Sequence, residues 1–320
     1  MLFLKTGKWR LTMLENKEKH CYNHEFENIR ELLEILSDSL FSSPESSRGK
    51  MGTYVLFGES VMSAINTILV IDFCCRREFY ADAFTLARKY RDDLMQYLFT
   101  LDVIQNIHGL SEDEIKKYDV LNPESLLNMI LKEMQILSSG ERKSQEELAV
   151  EAFMYNIIED DLHSKDRRMY FDTSKYKANL MKRNSQIKVL MEKYLDVIWR
   201  EIDRTLNNYV HANGIKYIYA NYADITNKPQ MKEKLITTVQ NITTIFLCIL
   251  AMLDGTKLKS MDYLDALEMG YTPEEGSQYW VSAIIVEYFD EHLNKIDKGL
   301  LEYIEKNNNY GMKFMLRDYE

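Results

Sequence analysis

Glycine and proline are scarce: 12 Gly and 4 Pro make up 5% of the 320 residues, against a usual share of about 12%. Few positions are left for tight turns and left-handed dihedrals. An all-β sandwich and a Gly-rich nucleotide-binding α/β fold are therefore excluded. Cysteine is scarce too. The four, Cys21, Cys74, Cys75 and Cys248, include an adjacent pair that cannot easily bridge to itself, and their other spacings match no zinc module. Reduced thiols in a cytoplasm are the expectation. No long unbroken apolar run exists. The most apolar window, Leu235–Leu253, is interrupted by Thr237, Thr238, Gln240, Asn241, Thr243 and Thr244, leaving nine unbroken residues from Ile245. A membrane span needs about twenty, so this window predicts a buried core helix. The start, Met1 to Lys5, is too short for a signal-peptide core. Obvious metal clusters are also missing. His20, Cys21 and His24 lack a second ligand pair, and Asp160, Asp161, His163 and Asp166 read as a charged helix end. No cofactor is expected.

Apolar types make up 46% of the chain and charged types 28%, with a net charge of −10. That is enough apolar content for a sizeable core, and the acid excess argues against indiscriminate nucleic-acid coating. Helical spacing runs from Asn23 to Phe41 (Phe26, Ile29, Leu32, Leu33, Leu36, Leu40) and from Glu78 to about Ile107. An apolar block fills Val61–Cys75. Ser111 reads as an N-cap, and Pro123 opens a helix running to Leu137. A helix is predicted from Ser144 to Ile158 and irregular structure over 164–182. A long helix capped by Asn184 or Ser185 reaches Ala212, with Gly214 as its stop. Ile215–Tyr219 is a candidate short strand. An apolar helix after Pro229 ends at Gly255, and a last one runs from about Ser277 to Glu305. The predicted fold is an all-α multi-helix bundle with at most one short β-hairpin. Its two subdomains would be 1–140 and 141–320, unless the helices pack across the 138–144 gap as one domain.

Charge is uneven. Lys165 to Arg204 holds eleven basic and six acidic residues. This is either the electrostatic footprint of a phosphate backbone, with Arg167 and Arg168 as candidate substrate contacts, or a solvated helix face beside a polar loop. Within the following helix, at about 100° per residue and with Arg204 at zero, His211 falls at about −20°, Asn208 at +40°, Asn207 at −60° and Arg200 at −40°. Leu195, Ile198, Ile202, Leu206 and Tyr209 gather on the opposite side. One face thus carries two guanidiniums, two amides and an imidazole.

Arginine grips phosphate oxygens in a fork and offsets charge developing at phosphorus. Histidine moves protons near neutrality. Asparagine orients an imidazole or donates to an oxyanion. Together they suit metal-independent RNA cleavage, in which the ribose 2′-hydroxyl attacks the adjacent phosphorus and leaves a 2′,3′-cyclic phosphate. His211 would carry the proton, Arg204 would stabilise the phosphate, Asn207 or Asn208 would orient, and Arg200 would contact the backbone. Arg204 and His211 stand about 10.5 Å apart along the axis, so two copies in a symmetric dimer are expected to close the site. Arg88, Arg91 and Asp92 on the earlier helix read as surface or interhelical ion pairs.

Arg204, six residues and His211, late in a long helix, resemble the motif of the HEPN superfamily, and Leu206–Gly214 with the Arg88–Asp93 run is similar to HEPN-like bacterial proteins. The residue after Arg204 is Thr205, where that family commonly carries Asn, Asp or His. The resemblance implies an all-α, often dimeric, metal-independent endoribonuclease of a defence, abortive-infection or toxin–antitoxin system, with RNA as substrate and an antitoxin or regulatory protein as a further partner. It also implies that Arg88, Arg91 and Asp92 support Arg204 or His211 from the neighbouring helix. The other reading is a non-catalytic helical interaction protein, in which Asn207, Asn208 and His211 only cap or bond neighbouring helices.

Overall fold

The structure, a computed structural model, describes residues 23–42, 51–105, 110, 112–119, 122–139, 173–211 and 228–314. It is an all-α bundle. The principal helices are α1 (His24–Ser42), α2 (Met51–Arg76), α3 (Tyr80–Gln105), α4 (Pro123–Ser139) and α5 (Thr173–Arg183). α6 is continuous through Ser185–Val189, a π-helical stretch Leu190–Leu195, and Asp196–Val210. α7 (Lys228–Asp254), α8 (Ala283–Ile296) and α9 (Leu300–Asn307) complete the set. Among the described residues β-structure is limited to the isolated bridges Lys259–Val281 and Trp280–Lys313. Ser111, Ser144–Ile158, Gly214 and the candidate strand Ile215–Tyr219 lie outside the described residues.

α2 turns directly into α3. Glu78 adopts the left-handed conformation (φ 62), and the amides of Glu78 and Phe79 donate back to the carbonyls of Cys75 and Cys74. This is a Schellman closure, which satisfies two end carbonyls without glycine. Lys228, at the start of α7, pairs with the Glu78 carboxylate at 2.7 Å. Asn122 accepts from the Glu124 and Ser125 amides, so Pro123 opens α4 as its sequence implies.

The core centres on α3 and α7. From Leu94 to Val103, every residue of α3 is buried except Gln96, and α7 is buried without interruption from Ile242 to Asp254. By length and composition α7 is apolar enough to cross a membrane, yet 78% of its most apolar stretch is inside the fold. Its threonines bond within it: Thr238, Thr243 and Thr244 donate to the carbonyls of Lys234, Val239 and Gln240. Tyr90 bonds Thr243 at 2.9 Å, and Tyr288 donates to the Gln240 carbonyl at 3.0 Å. One apolar cluster extends from Phe26 on α1 to Phe314 beyond α9, drawing on both sides of the 138–144 gap.

Two expectations are overturned. Residues 173–183 are helical, not irregular. Among the described α5 side chains only Tyr176 and Leu180 are buried hydrophobics, too sparse a pattern to register as periodicity. The Phe99–Tyr176 ring stack (centroids 5.4 Å apart) docks α5 on α3. The last predicted helix is broken. Gly276 takes φ 84, the Val281 and Ser282 amides donate to the Lys313 and Leu258 carbonyls, and the Tyr279 and Trp280 carbonyls accept from the Lys313 and Ser260 amides. α8 therefore starts only at Ala283, and a second break at Asp297 separates it from α9.

Candidate functional site

α6 begins with a side-chain cap: Asn184 Oδ1 accepts from the Gln186 and Ile187 amides at 2.9 and 3.0 Å. The α-helical turns that follow the π stretch are strongly two-sided. Trp199, Ile202, Thr205, Leu206 and Tyr209 are buried. Arg200, Arg204, Asn207 and His211 are exposed, and Asn208 is half-buried. Thr205 thus belongs to the core side and does not join the polar face. His211 ends the helix, and its amide closes onto the Asn207 carbonyl. Arg204 makes no ion pair with a described residue, whereas Arg200 folds back onto Asp196 at 2.5 Å.

The buried side of α6 packs on α3, and His211 and Asp203 reach α3 at its edge. Phe84 stacks on Tyr209, with centroids 4.1 Å apart and planes 9° apart, and this fixes the two helices against each other below His211. One turn along α3, an Arg88 guanidinium nitrogen lies 3.5 Å from His211 Nε2. A guanidinium only donates, so in this contact Nε2 presents its lone pair. Asp92 stands between the two arginines, 3.8 Å from Arg88 and 2.8 Å from Arg91. Arg91 is buried, reaches Asp203 on α6 at 2.5 Å, and lies 5.7 Å over the Trp199 ring. A string of charge, His211–Arg88–Asp92–Arg91–Asp203, therefore joins the two helices. It brings together His211 with Arg88, Arg91 and Asp92 of the sequence candidates. Arg204, Arg200 and Asn207 share the helix face without touching that string through any ion pair of the described residues. Arg167 and Arg168, like His20, Cys21, Asp160, Asp161, His163 and Asp166, lie outside the described residues.

Two participants were invisible in sequence. Asp203 reads as an ordinary surface acid, and its partner Arg91 is 112 residues away. Lys177 of α5 lies 5.0 Å over the Trp199 ring and 3.7 Å from Asp196. Burial pushes its ammonium pKa down, and Asp196 and Asp203 oppose the shift. The only available signal was the excess of lysine and arginine between 165 and 204.

Among the described residues no group of three or more His, Cys, Asp or Glu side chains is gathered to hold a metal ion. Cys74, Cys75 and Cys248 are free and buried, and burial raises all three thiol pKa values. These are unreactive packing residues. Compared with protein families, curated proteins and solved structures, the chain matches none.

Proposed function

We propose that the protein is a metal-independent endoribonuclease of a bacterial defence or toxin-type system, working in the cytoplasm as a homodimer. The observation that carries this reading is the Arg88 guanidinium at His211 Nε2, beside a helix face on which Arg204 is exposed without an ion pair to a described residue. Arg88 and Arg204 would grip the non-bridging oxygens of a phosphodiester. With Arg88 drawn from Nε2 to the phosphate, that nitrogen's lone pair would be released to take the proton of the ribose 2′-hydroxyl as the oxygen attacks phosphorus. The P–O5′ bond then breaks, the 5′-oxygen picks up a proton from water, and a 2′,3′-cyclic phosphate remains. Asn207 and Asn208 would orient the imidazole or donate to the phosphate. DNA lacks the attacking hydroxyl and would be spared. Arg88 comes from a second helix of the same chain and puts a guanidinium beside the imidazole, whereas Arg204 is about 10.5 Å away along α6.

The test is cleavage of end-labelled structured RNA in EDTA by wild type, Arg204→Ala and His211→Ala. Wild-type cleavage to cyclic-phosphate ends is expected, with at least about a 100-fold loss in each variant. Equal cleavage by all three, or none by a folded wild-type protein that binds the RNA, would sink the proposal. The alternative is a non-catalytic interaction or regulatory protein. It draws on the exposed apolar side chains Met62, Val70, Phe73 and Phe79 on and beside α2, and it predicts partner binding that survives His211→Ala.

A further inference from the structure

A cleft of about 860 Å³ lies between α5 and the first part of α6. Lys177, Lys182, Arg183 and Lys188 line it, with Asp203 as the one acid among the described lining residues. The four cations are not equivalent. Asp102, buried on α3, holds Arg183 at 2.5 Å, and Asp196 holds Lys177 at 3.7 Å. Lys182 makes no ion pair with a described residue, and Lys188 has only Glu192, at 4.0 Å and with both side chains more than half exposed. Asp203 is engaged by Arg91, so the cleft presents net positive charge. Trp199 forms part of its wall but is 5% exposed, with Lys177 and Arg91 over its ring. It holds cations in place and offers no open face for a base to stack on. The cleft is therefore suited to a backbone rather than to base edges. Its volume is that of a ligand-sized pocket, which admits a short single strand and not a duplex.

Trp199 precedes His211 by about 18 Å along α6, and Asp203, which lines the cleft, is joined through Arg91 to the charge string that ends at His211. We propose that this cleft is a track for the phosphodiester backbone of single-stranded RNA, leading along α6 toward His211; this rests on the ribonuclease reading of that face. Recognition is electrostatic and tolerant of sequence, with Lys182 and Lys188 as the phosphate contacts.

The test is fluorescence anisotropy of a labelled single-stranded RNA with His211→Ala protein, which holds RNA uncut, across a salt series. The same protein carrying Lys182→Ala and Lys188→Ala is compared. Both lysines are at the surface, so the fold survives their removal. About a 10-fold weaker Kd is expected, with the salt slope reduced by about 1.4, the loss of two single-strand phosphate contacts. An unchanged Kd and slope, while wild type still cleaves RNA in EDTA, overturns the track and leaves the nuclease standing. Weakened binding with no cleavage by wild type supports the track as an RNA surface and overturns the nuclease. An absence of RNA binding by His211→Ala protein at low salt overturns the track.

Discussion

α7 and α6 are both long helices carrying many polar side chains, and they dispose of them in opposite ways. In α7 the Thr243 and Thr244 hydroxyls bond to carbonyls one turn back and to Tyr90 and Tyr288 of neighbouring helices, inside the core. In α6 the polar groups are sorted to one side, and Arg204 and Asn207 are left facing outward. A buried polar group must find a partner or cost about 1–3 kcal/mol. An exposed one is satisfied by water and remains available to a ligand. The α7 pattern thus marks stability, and the α6 pattern marks a surface that can act on something else.

Substitutions can break this contrast. The widest separation is expected between Phe246→Ala and His211→Ala. Phe246 is 1% exposed and packs edge-on against Tyr97, so its truncation costs about 3–5 kcal/mol and lowers Tm sharply. His211→Ala leaves Tm in place and removes cleavage. A large Tm loss in His211→Ala would erase the distinction.

Arg91→Ala sits between the two cases. The arginine is buried while the Asp203 side chain is 40% exposed. The expected loss is about 2 kcal/mol, less than for a fully buried pair and more than for a surface one. Chemical denaturation of Arg91→Ala, Asp203→Ala and the double variant measures it. Full additivity would mean that the α3–α6 string carries no coupling.

Thr243→Val keeps shape and strands the Tyr90 hydroxyl, at an expected cost of about 1–2 kcal/mol. Tyr90→Phe added to it should restore part of that loss, because both partners are then apolar. Lack of restoration would show that the α7 hydroxyls are not held as a matched set.

The smallest effect concerns pH. Half-burial pushes the His292 pKa below its ordinary value, against the opposing pull of Glu291. The unfolded chain therefore takes up the proton first. Stability is expected to fall as pH drops below about 6.5, and to level off once the folded pKa is passed. His292→Gln should flatten that slope in a Tm series between pH 7.5 and 5. An unchanged slope would place the titration elsewhere.

Much of this was legible in the chain itself. Scarce glycine and proline with helical apolar spacing dictated an all-α fold, because periodicity is a local property. Threonine and glutamine within Leu235–Leu253 argued for a core helix, and α7 is one. The Arg200–Arg204–Asn207–His211 face followed from helix geometry alone. Sequence misplaced α5, whose visible anchors are only Tyr176 and Leu180, and it missed the break before α8, where backbone bonds to Leu258, Ser260 and Lys313 outcompete the helix. The resemblance offered Arg88, Arg91 and Asp92 as supports for Arg204 or His211, but the sequence could not show that Arg88 is the one that meets His211, that Arg91 is buried on Asp203, or that Lys182 and Lys188 flank one cleft. The first two pairings join residues 123 and 112 positions apart, and the cleft sets Lys182 and Lys188 beside Trp199 and Asp203 farther along α6. Only the packing of α3, α5 and α6 decides them, because charge in a sequence has a sign but no direction until the helices meet.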